Sequence, residues 1–218
     1  MILSSNIKAV VFDMDGVLFD SERISRMVWI QAGAEYHLAD VEEAERCVIG
    51  RSFADTCQFL KERYGPTFPA VEFRTRCSQL FHEYTDAHGM PLMPLAKETL
   101  LYLFNKKIPL ALASSTRRLV VDKELAEADF THFFKVTVCG DEVEHSKPNP
   151  DIYIEACKKL GFNPEDCIAV EDSPNGIRSA YNAGMKAVMI PDQVQPDEKL
   201  KTLLYKCYSS LAELKELF

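Results

Sequence analysis

Five short, largely apolar runs punctuate the chain, and each gives way abruptly to polar residues. Ala9-Val10-Val11-Phe12 ends in Asp13-Met14-Asp15-Gly16, and Ile108 to Ala113 ends at Ser114-Ser115-Thr116. Phe134 to Val138 leads into Cys139-Gly140-Asp141, Cys167 to Val170 into Glu171-Asp172-Ser173, and Lys186 to Ile190 into Pro191-Asp192. Such runs read as strands buried on both faces. Helical patterns lie between most of them. Residues 95–106 put Leu100, Leu103 and Phe104 on one face. Residues 150–160 stop at Gly161, and Ser173-Pro174 opens a segment that ends at Gly184. The alternation predicts an α/β fold: a Rossmann-like parallel sheet with helices on both faces.

One stretch breaks the alternation. From about Asp20 to Leu92 the apolar positions recur only at helical spacing: Ile24, Val28 and Ala32, then Phe53, Cys57 and Leu60, then Phe73, Cys77 and Leu80. Gly50 and Gly65-Pro66 punctuate them. The expected organisation is therefore an α/β core, residues 1–19 and 93–218, with an all-helical unit, residues 20–92, inserted after the first strand. The acidic segment Asp40 to Glu45 reads as a solvated helix face.

Composition narrows the classes. The chain has 218 residues, 47% hydrophobic and 27% charged, which fits a globular protein with a substantial core. A net charge of -8 argues against a general nucleic-acid binder, which needs a basic face. The seven cysteines contain no C-x-x-C pair, so zinc is not expected and core thiols are. No basic segment followed by an apolar run opens the sequence, and no apolar stretch approaches a membrane span. A cytoplasmic protein is the expectation.

The candidate chemistry lies where the apolar runs end, which in an open parallel sheet is where ligands bind. Asp13 and Asp15 can both face that crevice, with Gly16 allowing a tight turn, although a lone D-x-D-G is also an ordinary polar loop. Neither an EF-hand spacing nor a G-x-x-x-x-G-K-[ST] partner loop accompanies them. Glu171 and Asp172 add two further carboxylates. Four acids in one crevice repel, and a hard divalent cation removes the repulsion, so the cluster reads as a magnesium site. Ser114, with the backbone N–H groups of Ser115 and Thr116 after it, can cradle phosphate oxygens. Lys147 sits in Ser146-Lys147-Pro148-Asn149-Pro150, where the two prolines that follow it stiffen the loop, and could neutralise both Asp13 and an incoming phosphate.

Taken together, D-M-D-G-V at Asp13, S-S-T from Ser114, S-K-P-N-P around Lys147 and E-D-S-P-N-G from Glu171 resemble the haloacid dehalogenase superfamily on its phosphatase and phosphomutase side. The β-phosphoglucomutase-like subgroup is the most similar, and the likeness extends over essentially the whole chain. The resemblance implies a small C1-type cap for the helical insertion. It implies Asp13 as nucleophile, Asp15 as general acid and base, Ser114 as a ligand of the transferring phosphoryl group and Lys147 as its anchor. Magnesium would bind Asp13, the backbone carbonyl of Asp15 and Asp172, with Glu171 direct or through water. Trp29 aligns with a substrate-side cap residue, and Gly50-Arg51-Ser52 with a specificity loop in which Arg51 could hold a second anionic group.

Two departures bear on the reaction. Where β-phosphoglucomutases carry a cap histidine and a cap lysine, this chain has Ser25 and Leu80. The expected activity is hydrolysis of a small phosphorylated metabolite, such as a sugar phosphate, through an aspartyl phosphate on Asp13. The alternatives are a hexose-phosphate phosphomutase and, from another class, a receiver-like or silent phosphate-binding protein. A monomer without nucleic-acid or membrane partners is expected.

Overall fold

The computed structural model describes residues 7–48 and 53–218. The chain divides into two compact units, Ser21–Met90 and the remainder, Met1–Asp20 with Pro91–Phe218.

The larger unit is built on six parallel strands: β1 (Ala9–Phe12), β2 (Leu110–Ser114), β3 (Val136–Cys139), β4 (Cys167–Glu171), β5 (Lys186–Met189) and β6 (Lys206–Cys207). Their spatial order is β3-β2-β1-β4-β5-β6. The order reverses at β1, so the crevice between the ends of β1 and β4 is the topological switch point. Every residue of β1, β2 and β4 is buried, as their unbroken apolar runs require. The exception to the sequence reading is β6, whose two residues are exposed and carry no apolar signal.

Ala9, Val11, Ala111, Ala113 and Ala169 share one core with Ile152, Tyr153, Ala156 and Cys157 on one helix and Ile177 and Ala180 on another. Small strand residues let those helices approach closely. Phe104, read as a core position, is instead 45% exposed. Its ring lies edge-on to Phe133 at 5.6 Å, at the rim of the packing that Leu100 and Leu103 fill.

The smaller unit contains α1 (Ser21–Glu35), α2 (Val41–Val48), α3 (Phe53–Tyr64) and α4 (Ala70–His88). Trp29 and Phe73 centre its core, with rings 5.2 Å apart in a T-shaped pair. The acid-rich segment before α3 is not wholly solvated. Glu45 is buried, 3.9 Å from the Arg26 guanidinium, because it falls on the same face of α2 as Val41, Ala44 and Val48. All seven cysteines are free thiols. Cys47 and Cys207 are exposed and the other five buried. Among the described residues, no helix is long and apolar enough to cross a membrane.

In the larger unit the remaining helices are α5 (Ala96–Asn105), α6 (Arg118–Glu127), α7 (Asp151–Leu160), α8 (Pro174–Asn182) and α9 (Glu198–Lys201). The Ser173 hydroxyl caps α8 by accepting from the Gly176 N–H at 3.1 Å, with Pro174 at the first turn.

Candidate active site

Backbone pairing brings the first acid into place. Asp13 donates its N–H to the Val170 carbonyl at 2.9 Å, which carries the β1–β4 ladder one step beyond Phe12 and sets Asp13 beside Glu171. The next residues fold back at once. Leu18 and Phe19 donate to the Met14 carbonyl, and Gly16 donates to that of Phe19. Gly16 has φ +74°, and a Cβ there would overlap the Asp172 carboxylate. The glycine therefore both permits the turn and makes room for an acid from β4's far end.

Lys147 is the hub. Its ammonium donates to Asp13 Oδ1 at 2.6 Å, to Glu171 Oε1 at 2.6 Å and to the Ala113 carbonyl at 3.2 Å, so all three of its protons are engaged. The side chain is 9% exposed, that of Asp13 10% and that of Glu171 fully buried. The loop that carries Lys147 is fixed from both sides. Asn149 donates from its backbone and side-chain amides to the Ser146 carbonyl, while Ser179 and Asn182 of α8 donate to the Asn149 and Pro148 carbonyls.

Glu171 is saturated. Besides Lys147, its Oε1 accepts the Tyr153 hydroxyl at 2.7 Å, and its Oε2 accepts the Ser173 hydroxyl at 3.1 Å and the Ser173 N–H at 3.4 Å. Gly176 is what lets α8 pass over this carboxylate, since a Cβ at 176 would occupy its space.

The electrostatics follow from this crowding. Burial and the negative charge of Glu171 push the Asp13 carboxyl up to about 8, against the opposing pull of the Lys147 ammonium. Burial disfavours the Lys147 charge, but Asp13 and Glu171 outweigh it and hold the amine protonated. One carboxylate oxygen each from Asp13, Glu171 and Asp172 lie within 4.8 Å of one another, and one ammonium cannot balance all three in their ionised form, an imbalance that the raised Asp13 carboxyl reflects. An all-oxygen cluster with excess negative charge fits a hard divalent cation such as magnesium.

The fourth acid does not join the three. Asp15 Oδ2 accepts a hydrogen bond from Thr116 Oγ1 at 3.0 Å, so its carboxylate is turned toward the end of β2. The sequence reading placed four carboxylates together. The tight turn after Asp13 sends the second acid of the D-x-D pair to a different neighbour. Ser114 is fully buried, and its Oγ accepts the Thr116 N–H at 3.0 Å, while Ser115 is exposed. Asp13, Asp15, Ser114, Thr116, Lys147, Glu171 and Asp172 thus gather at the ends of β1, β2 and β4. Trp29 belongs to the helical unit, where it is 2% exposed and lies under the Arg74 guanidinium at 5.1 Å. Gly50 and Arg51 lie outside the described residues. Tyr153 was not a candidate from sequence. It sits between Ile152 and Ala156 at core spacing, and nothing in the pattern separates a buried hydroxyl from a buried ring.

Comparison with known proteins places this arrangement in context. The model of the haloacid dehalogenase-like hydrolases matches residues 7–184. A probable pseudouridine-5'-phosphatase of Drosophila melanogaster is 32% identical over 211 residues, covering 94% of this chain and 90% of that one. A phosphorylated carbohydrates phosphatase of Thermotoga maritima is 30% identical, covering 83% of each. Among solved structures, a haloacid dehalogenase family hydrolase of Deinococcus radiodurans with bound phosphate and sodium superposes with a TM-score of 0.80 at 29% identity, covering 96% of this chain and 94% of that one. A putative β-phosphoglucomutase of Thermotoga maritima gives 0.79 at 27% identity, covering 97% and 100%. With its switch-point crevice, its clustered acids and a family match over most of its length, this chain belongs to the haloacid dehalogenase-like hydrolases.

Proposed function

We propose that the protein is a magnesium-dependent phosphomonoester hydrolase acting on a small phosphorylated metabolite. The observation that carries this reading is the Lys147 ammonium held at 2.6 Å from both Asp13 and Glu171, inside an oxygen-only acid cluster. Asp13 attacks the substrate phosphorus, and the ester oxygen departs with a proton from Asp15. Water then attacks the aspartyl phosphate while Asp15 takes up its proton, which frees inorganic phosphate and restores the Asp13 carboxylate. Splitting the displacement in two avoids one difficult step, and magnesium at the cluster would offset the burial and the Glu171 charge that raise the Asp13 carboxyl, favouring its ionised, attacking form. The Ser114 hydroxyl, held by the Thr116 N–H, and the Ser115 N–H receive the phosphoryl oxygens, and Lys147 offsets their charge.

Asp13, Asp172 and the Asp15 backbone carbonyl would hold magnesium, with Glu171 acting through water because its oxygens already accept four donors. Bound there, the ion would neutralise charge on the phosphoryl group. Sugar phosphates and nucleoside monophosphates are the substrate classes to favour, since the relatives named above act on pseudouridine 5'-phosphate and on phosphorylated carbohydrates. Gly50 and Arg51 remain the helical unit's candidates for contacting the substrate, whereas Trp29, 2% exposed in that unit's core, serves packing.

Hydrolysis is favoured over phosphoryl shuttling by position 80. Leu80 is buried in the apolar interior of the helical unit and offers no charge to a second phosphate. The test is phosphate release across sugar phosphates, nucleotides and pyrophosphate, with and without magnesium. Release that EDTA removes and magnesium restores is expected. Isomerised sugar phosphate without free phosphate would replace hydrolysis by mutase chemistry.

A further inference from the structure

Tyr153 combines three properties that an ordinary core residue does not need together. It is fully buried. Its hydroxyl donates at 2.7 Å to Glu171 Oε1, the same oxygen that accepts the Lys147 ammonium at 2.6 Å. Its ring lies under that ammonium, with Nζ 5.1 Å from the ring centroid, within the range of a cation–π contact. The residue is delivered by the first turn of α7, directly after the pinned loop that carries Lys147. One side chain therefore touches both members of the buried ion pair.

The consequence concerns the supply of protons on Lys147. An ammonium has three, and here all three are given to protein oxygens. The phosphoryl group needs one of them as it transfers to Asp13. Releasing Glu171 would ordinarily strand a buried carboxylate oxygen, which is costly. Here Oε1 would keep the Tyr153 hydroxyl, and Oε2 would keep Ser173. Tyr153 thus makes Glu171 a partner that Lys147 can leave.

From this geometry we infer that Tyr153 is a positioning residue for phosphoryl transfer: its hydroxyl keeps Glu171 aimed and satisfied, so that Lys147 can turn one proton to the transferring phosphoryl group. The inference rests on the proposed phosphatase reading. It requires no new chemistry, since the hydroxyl proton stays on Tyr153 throughout.

The test is Tyr153→Phe, which retains the ring, its packing and the cation–π contact and removes only the hydroxyl. The expected result is a fall in kcat of about tenfold with KM changed less than about twofold, because substrate ground-state binding does not use the released proton. Affinity for tetrafluoroaluminate with magnesium, a mimic of the transferring group, should fall in parallel with kcat, while affinity for inorganic phosphate stays within about twofold. A 3-fluorotyrosine placed at 153 keeps the hydroxyl and should keep kcat within about twofold. Wild-type kcat and tetrafluoroaluminate affinity in Tyr153→Phe would overturn the inference. So would an equal loss in the 3-fluorotyrosine protein, which would make the role one of packing, or a Tyr153→Phe chain that does not fold, which would make the hydroxyl a structural bond. Failure of the phosphatase reading looks different: wild-type protein would then release no phosphate from any phosphoester.

Discussion

Thr116 Oγ1 lies 3.0 Å from Asp15 Oδ2 and donates to it, so the acid that would protonate the leaving group is held by the end of β2 and not by its neighbour Asp13. Thr116→Val removes that donor at nearly constant volume. A general acid matters most when the leaving oxygen is a poor one. The variant should therefore lose about tenfold in kcat on alkyl phosphates and about twofold on p-nitrophenyl phosphate. Equal losses on both would mean that Thr116 serves phosphate binding alone. Steady-state kinetics on the two substrates decides it.

Asp13→Asn keeps the shape of the side chain and its place beside Lys147, and removes the attacking oxygen. Turnover should fall on the order of 10⁴-fold or more, with circular dichroism unchanged. Rapid acid quench with ³²P-labelled substrate should trap label on the wild-type chain and none on the variant. An active Asp13→Asn protein would end the covalent mechanism.

Gly176→Ala tests how closely α8 passes Glu171. The added methyl group would occupy the space of the carboxylate, and overpacking of this kind costs about 1–3 kcal/mol. A fall in Tm of roughly 2–12 °C is expected for a chain of this size, measured by differential scanning calorimetry. Activity should fall with it, since displacing Glu171 disturbs the Lys147 ammonium that donates to it at 2.6 Å.

Glu124 gives the protein a pH-dependent stability that catalysis does not require. It is buried on α6, its Oε2 has no hydrogen-bond partner among the described residues, and burial, with Asp15 and Glu127 adding and Lys123 subtracting, pushes its carboxyl up to about 7 from 4.5. The folded chain thus holds a proton that the unfolded chain gives up between those values. Its contribution to stability is intact below about pH 4.5, declines as pH rises toward 7, and is flat above. Glu124→Gln should be more stable than wild type at pH 8 by about 1–3 kcal/mol, with the difference vanishing near pH 4.5. Urea melts at the two pH values measure it, and a pH-independent difference would contradict the assignment.

The parts of the site that were legible in the sequence share one property. Asp13, Ser114, Glu171 and Asp172 each sit at the end of an apolar run, and a parallel sheet brings such ends together. Lys147 was legible because two prolines follow it closely and Asp13 needed a counter-charge. What escaped depends on side-chain direction. Asp15 is two residues from Asp13 and still turns to Thr116. Tyr153 keeps core periodicity while its hydroxyl reaches Glu171. Glu45 carries a charge on the buried stripe of α2, where an acidic block suggests solvent. β6 pairs only through backbone bonds to Val188 and Met189, which leave no trace in residue type.

The β1–β4 ladder also sets a schedule for the site. Asp13 leaves the ribosome about 160 residues ahead of Glu171 and Asp172, which lie at the end of β4. The helical unit, Ser21–Met90, and β2 are complete long before then. A nascent or prematurely terminated chain therefore carries Asp13 without its carboxylate neighbours or Lys147, and has neither the acid cluster nor the ammonium that phosphoryl chemistry would use. Long-range parallel pairing is slow to form. In this protein that slowness ties assembly of the acid cluster to synthesis through β4, so that a chain interrupted before that strand lacks the cluster altogether.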